Sequence, residues 1–341
     1  MSLPISIPPP LRWLLGAAAL ALVVWVLVIP PMQMPDEVPH YAYTERIVEA
    51  GERPVRGTPD GRRLFSTSLA TAMRWSNLGV LIGNPAARPA FSELEAEGRR
   101  AAEARLGRDA RLDGGANNPA AGNGPLYYLY EAPAYALGLL LGDSALDRQL
   151  VMRLANVPLL LGSIVFVWLL VAELTPRLWP RALATAVVAI HPQLVSVTAG
   201  INPDALLTLV WCAFLYVAVV AVTRGLTRGR LLALAALALA SALTHPRGYA
   251  IAVPAAVAVV LALRRDPARA RLARAVTWGL AGALLAALAA VAVGGSSTPL
   301  VGRALAGSEG RFDLVEFGAY VWRTSLPDLP FMEPGLGSHR D

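Results

Sequence analysis

Long apolar runs separated by short polar segments dominate the chain. The first run covers residues 11–29, and the others lie at about 150–172, 182–200, 204–222, 230–244, 248–263 and 273–293. A helix of about 20 apolar residues is long enough to cross a bilayer. The pattern therefore predicts an all-α protein, a polytopic transmembrane helical bundle of about seven spans.

The first two predicted spans are separated by a long segment, residues 31–149. We expect a helix at 40–50, a charged helix from Ser92 to Leu106 with Ser92 as its N-cap, and a loop at 113–124. The moderately apolar run at 125–142 closes the segment. If this run crossed the membrane, every later arginine-rich loop would change sides. We therefore predict an embedded helix that does not cross.

Arginine placement predicts the orientation of the bundle. Short loops near Arg177, Arg224 and Arg264 are rich in arginine, as cytoplasmic loops are. The N-terminus is then inside, and 31–149 is the first outer loop. We predict a transmembrane core at 1–293 and a polar outer tail at 294–341. The expected location is the inner or plasma membrane, with the active face non-cytoplasmic.

Composition supports a membrane protein and excludes other classes. Hydrophobic residues make up 55% of the chain and charged residues 16%, against about 25% charged in soluble domains. The net charge of +6 comes from arginines, many of them in short loops, which fits membrane topology and gives no reason to expect nucleic acid. Cys212 is the single cysteine, so no intrachain disulfide can form. Nucleotide-binding and zinc motifs are absent from the sequence.

This topology brings four polar features to the outer face. They are the segment with Asp36 and Glu37, the tyrosines Tyr127 and Tyr128, the turn Asn202 to Asp204, and the turn His245 to Arg247. They come from four separated parts of the chain. Ionisable groups at a membrane boundary are costly and often functional, so their convergence predicts a site.

Asp36 is the candidate general base, because a carboxylate at a partly desolvated boundary is a good proton acceptor. Glu37 points roughly 100° away if the segment is helical. His40 shares a helical face with Asp36 at this spacing, although Pro39 suggests an irregular turn. The alternatives are a solvated loop for the carboxylates and a simple loop hydrogen bond for His40.

The other candidates also have two interpretations each. Asp204 either caps a helix or holds an acceptor hydroxyl or a cation. Arg247 either reaches lipid head groups or clamps a phosphate, with His245 beside it and Asn202 beside Asp204. Tyr127 and Tyr128 form either an interfacial aromatic belt or a surface on which a sugar stacks. His191, next to Pro192, is expected at a kink.

The order of these motifs resembles the GT-C membrane glycosyltransferases. P-D-E-x-x-H-Y at Pro35 to Tyr41 follows the first span, and then come G-P-L-Y-Y from Gly124, R-L-x-N from Arg153, and a His-Pro and N-P-D between 191 and 204. The sequence looks most similar to the protein mannosyltransferase-like members, family thirty-nine, and to related uncharacterised bacterial membrane proteins. The resemblance covers roughly residues 11–250.

The resemblance implies an inverting glycosyltransferase that takes a sugar from a polyprenyl-phosphate donor at the outer face. It makes Asp36 the catalytic base, Glu37 its acidic neighbour, Asp204 the second acidic residue, and Arg247 a contact for the donor phosphate. It implies no cofactor; a divalent cation is possible but lacks a ligand motif. Membrane lipid is an expected partner, and the acceptor and the sugar stay open.

Two departures from the family pattern leave alternatives. No arginine precedes Asp204 in residues 198–202, and the chain ends soon after the seventh predicted span, where relatives usually continue. The alternatives are a catalytically inactive or truncated membrane scaffold and a transporter of lipid-linked substrates. A transporter would be expected to show internal repeats and charges near the middle of the membrane, and the sequence shows neither convincingly.

Overall fold

A computed structural model describes residues 7–57, 63–84, 93–142 and 144–265, together with positions 271 and 279. Regular structure in these ranges is helical, and the β-type pairing recorded among them is one isolated bridge between Val55 and Asn117. The chain divides into two compact units, Met1–Pro267 and Ala268–Asp341, and the helices given below belong to the first. Apart from position 279, the predicted span at 273–293 and the tail at 294–341 lie outside the described residues.

The helices agree with the predicted pattern of apolar runs and loop helices. In chain order they are α1 Pro9–Val28, α2 Glu37–Ala50, α3 Thr67–Trp75, α4 Leu78–Gly83, α5 Glu93–Glu103, α6 Asp109–Leu112, α7 Leu126–Leu141, α8 Ala145–Ala155, α9 Val157–Leu174, α10 Leu178–Ala189, α11 Pro192–Ala199, α12 Asp204–Arg224, α13 Arg228–Thr244 and α14 Ala252–Arg264. Short 3-10 helices occupy Pro119–Gly122 and Pro246–Ile251. The predicted helix at 40–50 is confirmed by α2 and the charged helix by α5, whose proposed cap Ser92 lies outside the described residues.

Four helical stretches are long and apolar enough to cross a membrane. They are Pro9–Val28, Ala145–Leu174, Asp204–Arg224 and Pro246–Arg264. The pair α10 and α11 makes a fifth if it counts as one span, bent by 48°. His191 lies at this bend, where its Nδ1 accepts a hydrogen bond from the Leu194 amide, so the predicted kink is confirmed. The described part of the chain thus provides up to five such spans, against the seven predicted for the whole.

The 17-residue helix α13 runs the length of its neighbour α12. At one end, Arg230 donates to the Gly225 carbonyl, directly after the last residue of α12. At the other end, Arg247 pairs with Asp204, the first residue of α12. Helix α13 therefore lies alongside α12 between these two ends, and its 17 residues make it shorter than the four candidate spans.

The arginine-rich loops meet at one end of the helical bundle. Arg224 forms two hydrogen bonds to Glu173 at the end of α9. Arg265, after α14, donates to the Val222 carbonyl in the last turn of α12. The ends of α9, α12 and α14 therefore lie together. The opposite end, where α1 finishes and α12 begins, is called the site end below.

Helix α7 pairs with α8 and with α2. Gly138 packs directly on α8, since a Cβ atom there would lie 2.5 Å from the Cα of Arg148. At the other end of this segment, a Cβ atom at Gly124 would lie 1.9 Å from the Leu243 carbonyl oxygen of α13. Helix α7 has 16 residues and is not among the candidate spans. That 125–142 does not cross stays a prediction, because its partner α8 is itself part of the candidate span Ala145–Leu174.

Three apolar clusters stabilise the bundle. The first joins the loop helices α2 and α3 to α7 and α8, the second joins α1 to α9, α10 and α11, and the third joins α12 to α13 and α14. Many large apolar side chains of the spans stay exposed, such as Leu20, Leu183 and Val253. A contiguous apolar exterior is expected where lipid is the solvent.

Candidate functional site

Asp36 precedes the first turn of α2 in an unusual backbone conformation. Its φ of 59° and ψ of 7° lie in the left-handed region, which aspartate tolerates better than most residues but at a cost. The side chain forms no capping hydrogen bond to α2 and is exposed. Residues held in such conformations cluster at functional sites. The local fold therefore presents a free carboxylate.

The neighbouring carboxylate, Glu37, is fully buried and fully bonded. Arg153 of α8 donates to both of its oxygens at 2.7 Å. Gln149 donates at 2.7 Å and the Ile201 amide at 3.3 Å. Four donors fill the acceptor positions of one carboxylate. Glu37 therefore anchors the start of α2 to α8 and to the bend before α12, and it is not free to accept a proton from a ligand.

Arg153 also binds the end of the first span. Its guanidinium donates to the carbonyls of Val26, Ile29 and Pro30 at 3.2, 2.8 and 3.1 Å. The last carbonyls of a helix have no hydrogen-bond donors within the helix. The N–H groups of Arg153 supply these donors. We call this group, Glu37 with Arg153 and Gln149, the clasp. It fixes the segment that carries Asp36 to the end of α1.

A second group of polar residues joins α7 to residues 200–202, in the short segment between α11 and α12, which is called the bend before α12. The backbone N–H of Asn202 donates a hydrogen bond to the Tyr127 hydroxyl at 2.9 Å. Asn156, at the break between α8 and α9, lies 3.3 Å from the same hydroxyl and donates to the Gly200 carbonyl at 2.8 Å. Gly200 also packs on the other side, since a Cβ atom there would lie 3.0 Å from the Met34 side chain. The segment before Asp36 thus lies against the bend.

Asp204 and Arg247 form an ion pair at the site end. The distance between Arg247 Nη1 and Asp204 Oδ2 is 3.2 Å, and 73% of the arginine side chain is exposed. Asp204 Oδ1 is buried without a hydrogen-bond partner. Asp204 starts α12 but makes no capping bond; its own amide donates to Asn202 Oδ1 instead. Asp204 therefore forms no side-chain capping bond, although it is the acidic residue in the first turn of α12, where the helix dipole stabilises a carboxylate.

His40 connects α2 to α7. Its Nδ1 lies 2.9 Å from the Tyr128 hydroxyl, and Asn123 donates to the same hydroxyl at 3.0 Å. Burial, with a smaller effect of the nearby His245, lowers the pKa of His40 to about 3. His40 is therefore neutral at pH 7, and its Nδ1 accepts the Tyr128 proton. His245 accepts a hydrogen bond from the Arg247 amide.

A cavity of about 590 Å³ opens beside Asp36. It is lined by residues 32–39 together with Phe65 of the first loop, Met73 of α3 and Leu78 of α4. Asp204 and Arg247 are not among its lining residues. Asp36 therefore lines a cavity that Asp204 and Arg247 do not line. Glu37 of the clasp lines the same cavity and binds the Ile201 amide, three residues before Asp204.

The structure brings the four predicted segments together, with one distinction. The Ile201 amide joins the segment before α12 to Glu37, the Asn202 amide joins it to Tyr127, and Asp204 pairs with Arg247. Asp36 is adjacent in sequence to Glu37, but no hydrogen bond or ion pair links its side chain to Asp204 or Arg247 in the described ranges. The convergence is therefore observed, while direct contact of Asp36 with the ion pair is not.

Two sequence interpretations need correction. Tyr127 and Tyr128 are completely buried, and Tyr128 stacks on Tyr43 with ring centroids 3.6 Å apart. They are not an interfacial belt, because their hydroxyls bind protein groups at the junction of α2, α7 and α12. Pro39 does not disturb the turn after Asp36, since it lies in the first turn of α2, where a missing amide hydrogen leaves no bond unmade.

Sequence reasoning missed the role of the arginines on α8. Arg153 is part of the R-L-x-N motif, but its partner Glu37 lies 116 positions earlier. Arg148 is also fully buried and donates to Tyr41 and Ser68. A signal was present, since a charged residue next to an apolar span is expensive and must find a partner.

Arg148 belongs to a buried polar cluster between α2, α7 and α8. Tyr135 lies 3.4 Å from Glu45 and 3.2 Å from Glu49, and the Arg148 guanidinium lies over the Tyr135 ring. Glu49 is paired with Arg111. Burial raises the pKa of Glu45 to about 7, opposed in part by a hydrogen bond from Ser66 and by the charge of Arg148.

This shift predicts a pH-dependent contribution of Glu45 to stability. The folded protein keeps the Glu45 proton to about pH 7, whereas the unfolded chain loses it near 4.5. Protonated Glu45 therefore contributes fully to the free energy of unfolding below pH 4.5. As the pH rises toward 7, roughly 3 kcal/mol of this contribution is lost. We expect wild type to lose stability relative to Glu45→Gln over this window, measured by thermal unfolding. His40 titrates in the opposite direction, so the difference between the two proteins is the quantity that tests Glu45.

The described residues contain no group of three or more histidine, cysteine, aspartate or glutamate side chains that could hold a metal ion. Asp204 Oδ1 is buried without a hydrogen-bond partner, while Oδ2 of the same carboxylate is bound by Arg247.

These features define a multi-pass helical membrane protein with a polar site at one end of its bundle. The chain belongs to the family described as "Predicted membrane protein (DUF2142)", whose family model matches residues 19–321. No curated protein and no solved structure is significantly similar to the chain.

Proposed function

We propose that this protein is a glycosyltransferase that moves a sugar from a polyprenyl-phosphate donor to an acceptor, with inversion, at the non-cytoplasmic face of the cell membrane. One observation carries the proposal. Asp36 is an exposed, uncommitted carboxylate held in a left-handed conformation at the edge of a cavity, next to a buried clasp that fixes its position. A rigidly placed free base is what acceptor activation requires.

In the proposed reaction Asp36 accepts the proton of the acceptor hydroxyl. The acceptor oxygen forms a bond to the anomeric carbon on the face opposite the phosphate. The bond between that carbon and the phosphate oxygen breaks, and polyprenyl phosphate leaves with the electron pair. Glu37 takes no part in proton transfer, because its oxygens are occupied; it positions the base.

Arg247 is the proposed contact for the donor phosphate. Its guanidinium is exposed on one side and held by Asp204 on the other, so it can offer further N–H groups to an anion. Burial lowers the pKa of His40 to about 3 and also lowers the pKa of the half-buried His245, so both histidines are weak bases. Arg247 is therefore the strong cation of this group.

Replacing Arg247 with methionine should raise the KM for the donor by about tenfold to a hundredfold, because a hydrogen bond to a charged group contributes roughly 1.5–3 kcal/mol. Arg247→Lys should fall between wild type and Arg247→Met, since lysine keeps the charge but loses bidentate binding. Steady-state transfer at varied donor concentration measures the effect. A lowered kcat with an unchanged KM would contradict a donor contact.

The proposed function is tested by supplying purified protein in vesicles with labelled polyprenyl-phosphate sugars and membrane extract as acceptor. Transfer to a product with inverted anomeric configuration is the expected result. The proposal fails if no donor is consumed above the level of protein-free vesicles. A product with retained configuration would also overturn it, because it would require a covalent intermediate rather than a base.

A further inference from the structure

The cavity beside Asp36 has a mainly apolar lining. Met32, Met34 and Met73 contribute three thioether side chains, and Phe65 and Leu78 line it as well. Methionine side chains are unbranched and adapt to apolar ligands of different shape. This lining suits a ligand with an apolar body, and a cavity of about 590 Å³ is in the range of small-molecule sites.

The hydrogen-bonding groups of the lining are largely committed to the protein. The Gln33 side-chain amide donates to the Ser76 carbonyl at 3.0 Å, and Glu37 is filled by its four donors. Among the ionisable lining residues, Asp36 is the one with no hydrogen bond or ion pair from its side chain to the described structure. A ligand rich in hydroxyls would lose its hydration here without gaining partners, which is unfavourable.

The cavity also lies next to the end of a membrane span. Helix α1 ends at Val28, and the cavity lining begins four positions later at Met32. Leu27 and Val28 are 67% and 69% exposed at this end, so apolar surface leads from the span toward the lining. A ligand can therefore keep an apolar tail in the bilayer while its polar end reaches Asp36.

We propose that the acceptor is a long-chain lipid alcohol, bound with its apolar chain among the methionines and its single hydroxyl at Asp36. This inference rests on the proposed function and names the acceptor class of the same site. The hydroxyl proton passes to Asp36, the alcohol oxygen becomes the glycosidic oxygen, and polyprenyl phosphate leaves with the electron pair of the broken bond. Because Asp36 is the one uncommitted carboxylate in a mainly apolar lining, the cavity favours a ligand with a single hydroxyl over a ligand with several.

Photo-crosslinking tests the occupant without requiring turnover. The full chain in phosphatidylcholine vesicles is irradiated with a diazirine-bearing long-chain alcohol, and crosslinks are mapped by mass spectrometry. We expect enrichment on residues 32–39 and 65–78, reduced by excess long-chain alcohol and not by a free disaccharide. Labelling spread evenly over the spans, or protection by the disaccharide alone, would overturn the proposal.

A pair of variants makes the test specific to the lining. Met73→Gln keeps the volume but adds polar groups to the cavity, and Val80→Gln makes a similar change on α4, where Val80 is 52% exposed and outside the lining. Crosslinking and transfer to the alcohol should fall about tenfold in Met73→Gln and stay at the wild-type level in Val80→Gln. Equal values for the two variants would overturn the site, and thermal unfolding checks that both are folded.

The outcomes separate the two proposals. Specific crosslinking without transfer from any donor leaves the lipid-alcohol site in place and removes the glycosyltransferase function. Transfer to a glycan or peptide, with none to the alcohol, keeps the reaction and overturns the acceptor class.

Discussion

Replacing Asp36 with asparagine should lower the rate of sugar transfer by a factor of about 10²–10⁴, the usual contribution of a general base. Asparagine has nearly the same shape and also tolerates the left-handed conformation that the structure requires at this position. Membrane insertion and thermal unfolding should therefore stay unchanged. Transfer is measured at saturating donor, so that the loss is assigned to kcat.

The matched control is Asp109→Asn. Asp109 is also exposed and lies at the start of a helix of the same loop, α6, where it makes no capping bond. Its replacement should leave transfer at the wild-type rate. Transfer within about twofold of wild type by Asp36→Asn would be too small a loss for a general base and would remove the assignment of the base.

Breaking the clasp should have the largest effect on stability. Glu37→Gln leaves the Arg153 guanidinium buried without its counter-charge, since the two side chains are 0% and 4% exposed. Removing one partner of a buried ion pair costs about 3–5 kcal/mol. We expect the unfolding free energy in detergent to fall by that amount. Glu52→Gln is the control, because Glu52 is 63% exposed in its pair with Arg46 and surface pairs contribute about 0–1 kcal/mol.

A double variant distinguishes the pair from a general loss of packing. Arg153→Met alone should also destabilise the protein, because it leaves Glu37 and three carbonyls at and just after the end of α1 without this partner. With Glu37→Gln added, the loss should be smaller than the sum of the two single losses, since the residues interact directly. Additive losses, or single variants within about 1 kcal/mol of wild type, would show that the clasp does not anchor α2.

The arrangement of the helices could be largely predicted from apolar runs and arginine-rich loops. Both signals are local in sequence, and together they predict that the turns at Asn202 and His245 lie at the same end of the bundle. The number and the limits of the spans were harder to predict from the sequence. α8 and α9 follow each other with a break at Asn156 and form one apolar stretch of 30 residues, whereas the sequence suggested a span from residue 150. Apolarity does not show where a helix leaves the lipid.

The roles of the site residues were harder to predict because they depend on distant partners. Asp36 and Glu37 are chemically similar neighbours, and helical geometry indicated only that they diverge. Which one is buried is decided by Arg153, 116 positions away from Glu37. The same holds for Tyr127 and Tyr128, which look like interfacial aromatics until Asn156, Asn202 and His40 supply their hydrogen bonds.

The clasp also has a consequence for biogenesis. The carbonyls at the end of α1 receive their hydrogen bonds from a residue that the ribosome adds more than a hundred positions later. Arg153 can reach that end only after the whole segment between α1 and α8 has been synthesised. Completion of the first span and closure of the loop are therefore one late step of assembly, and the segment carrying Asp36 acquires its position only when that step is finished.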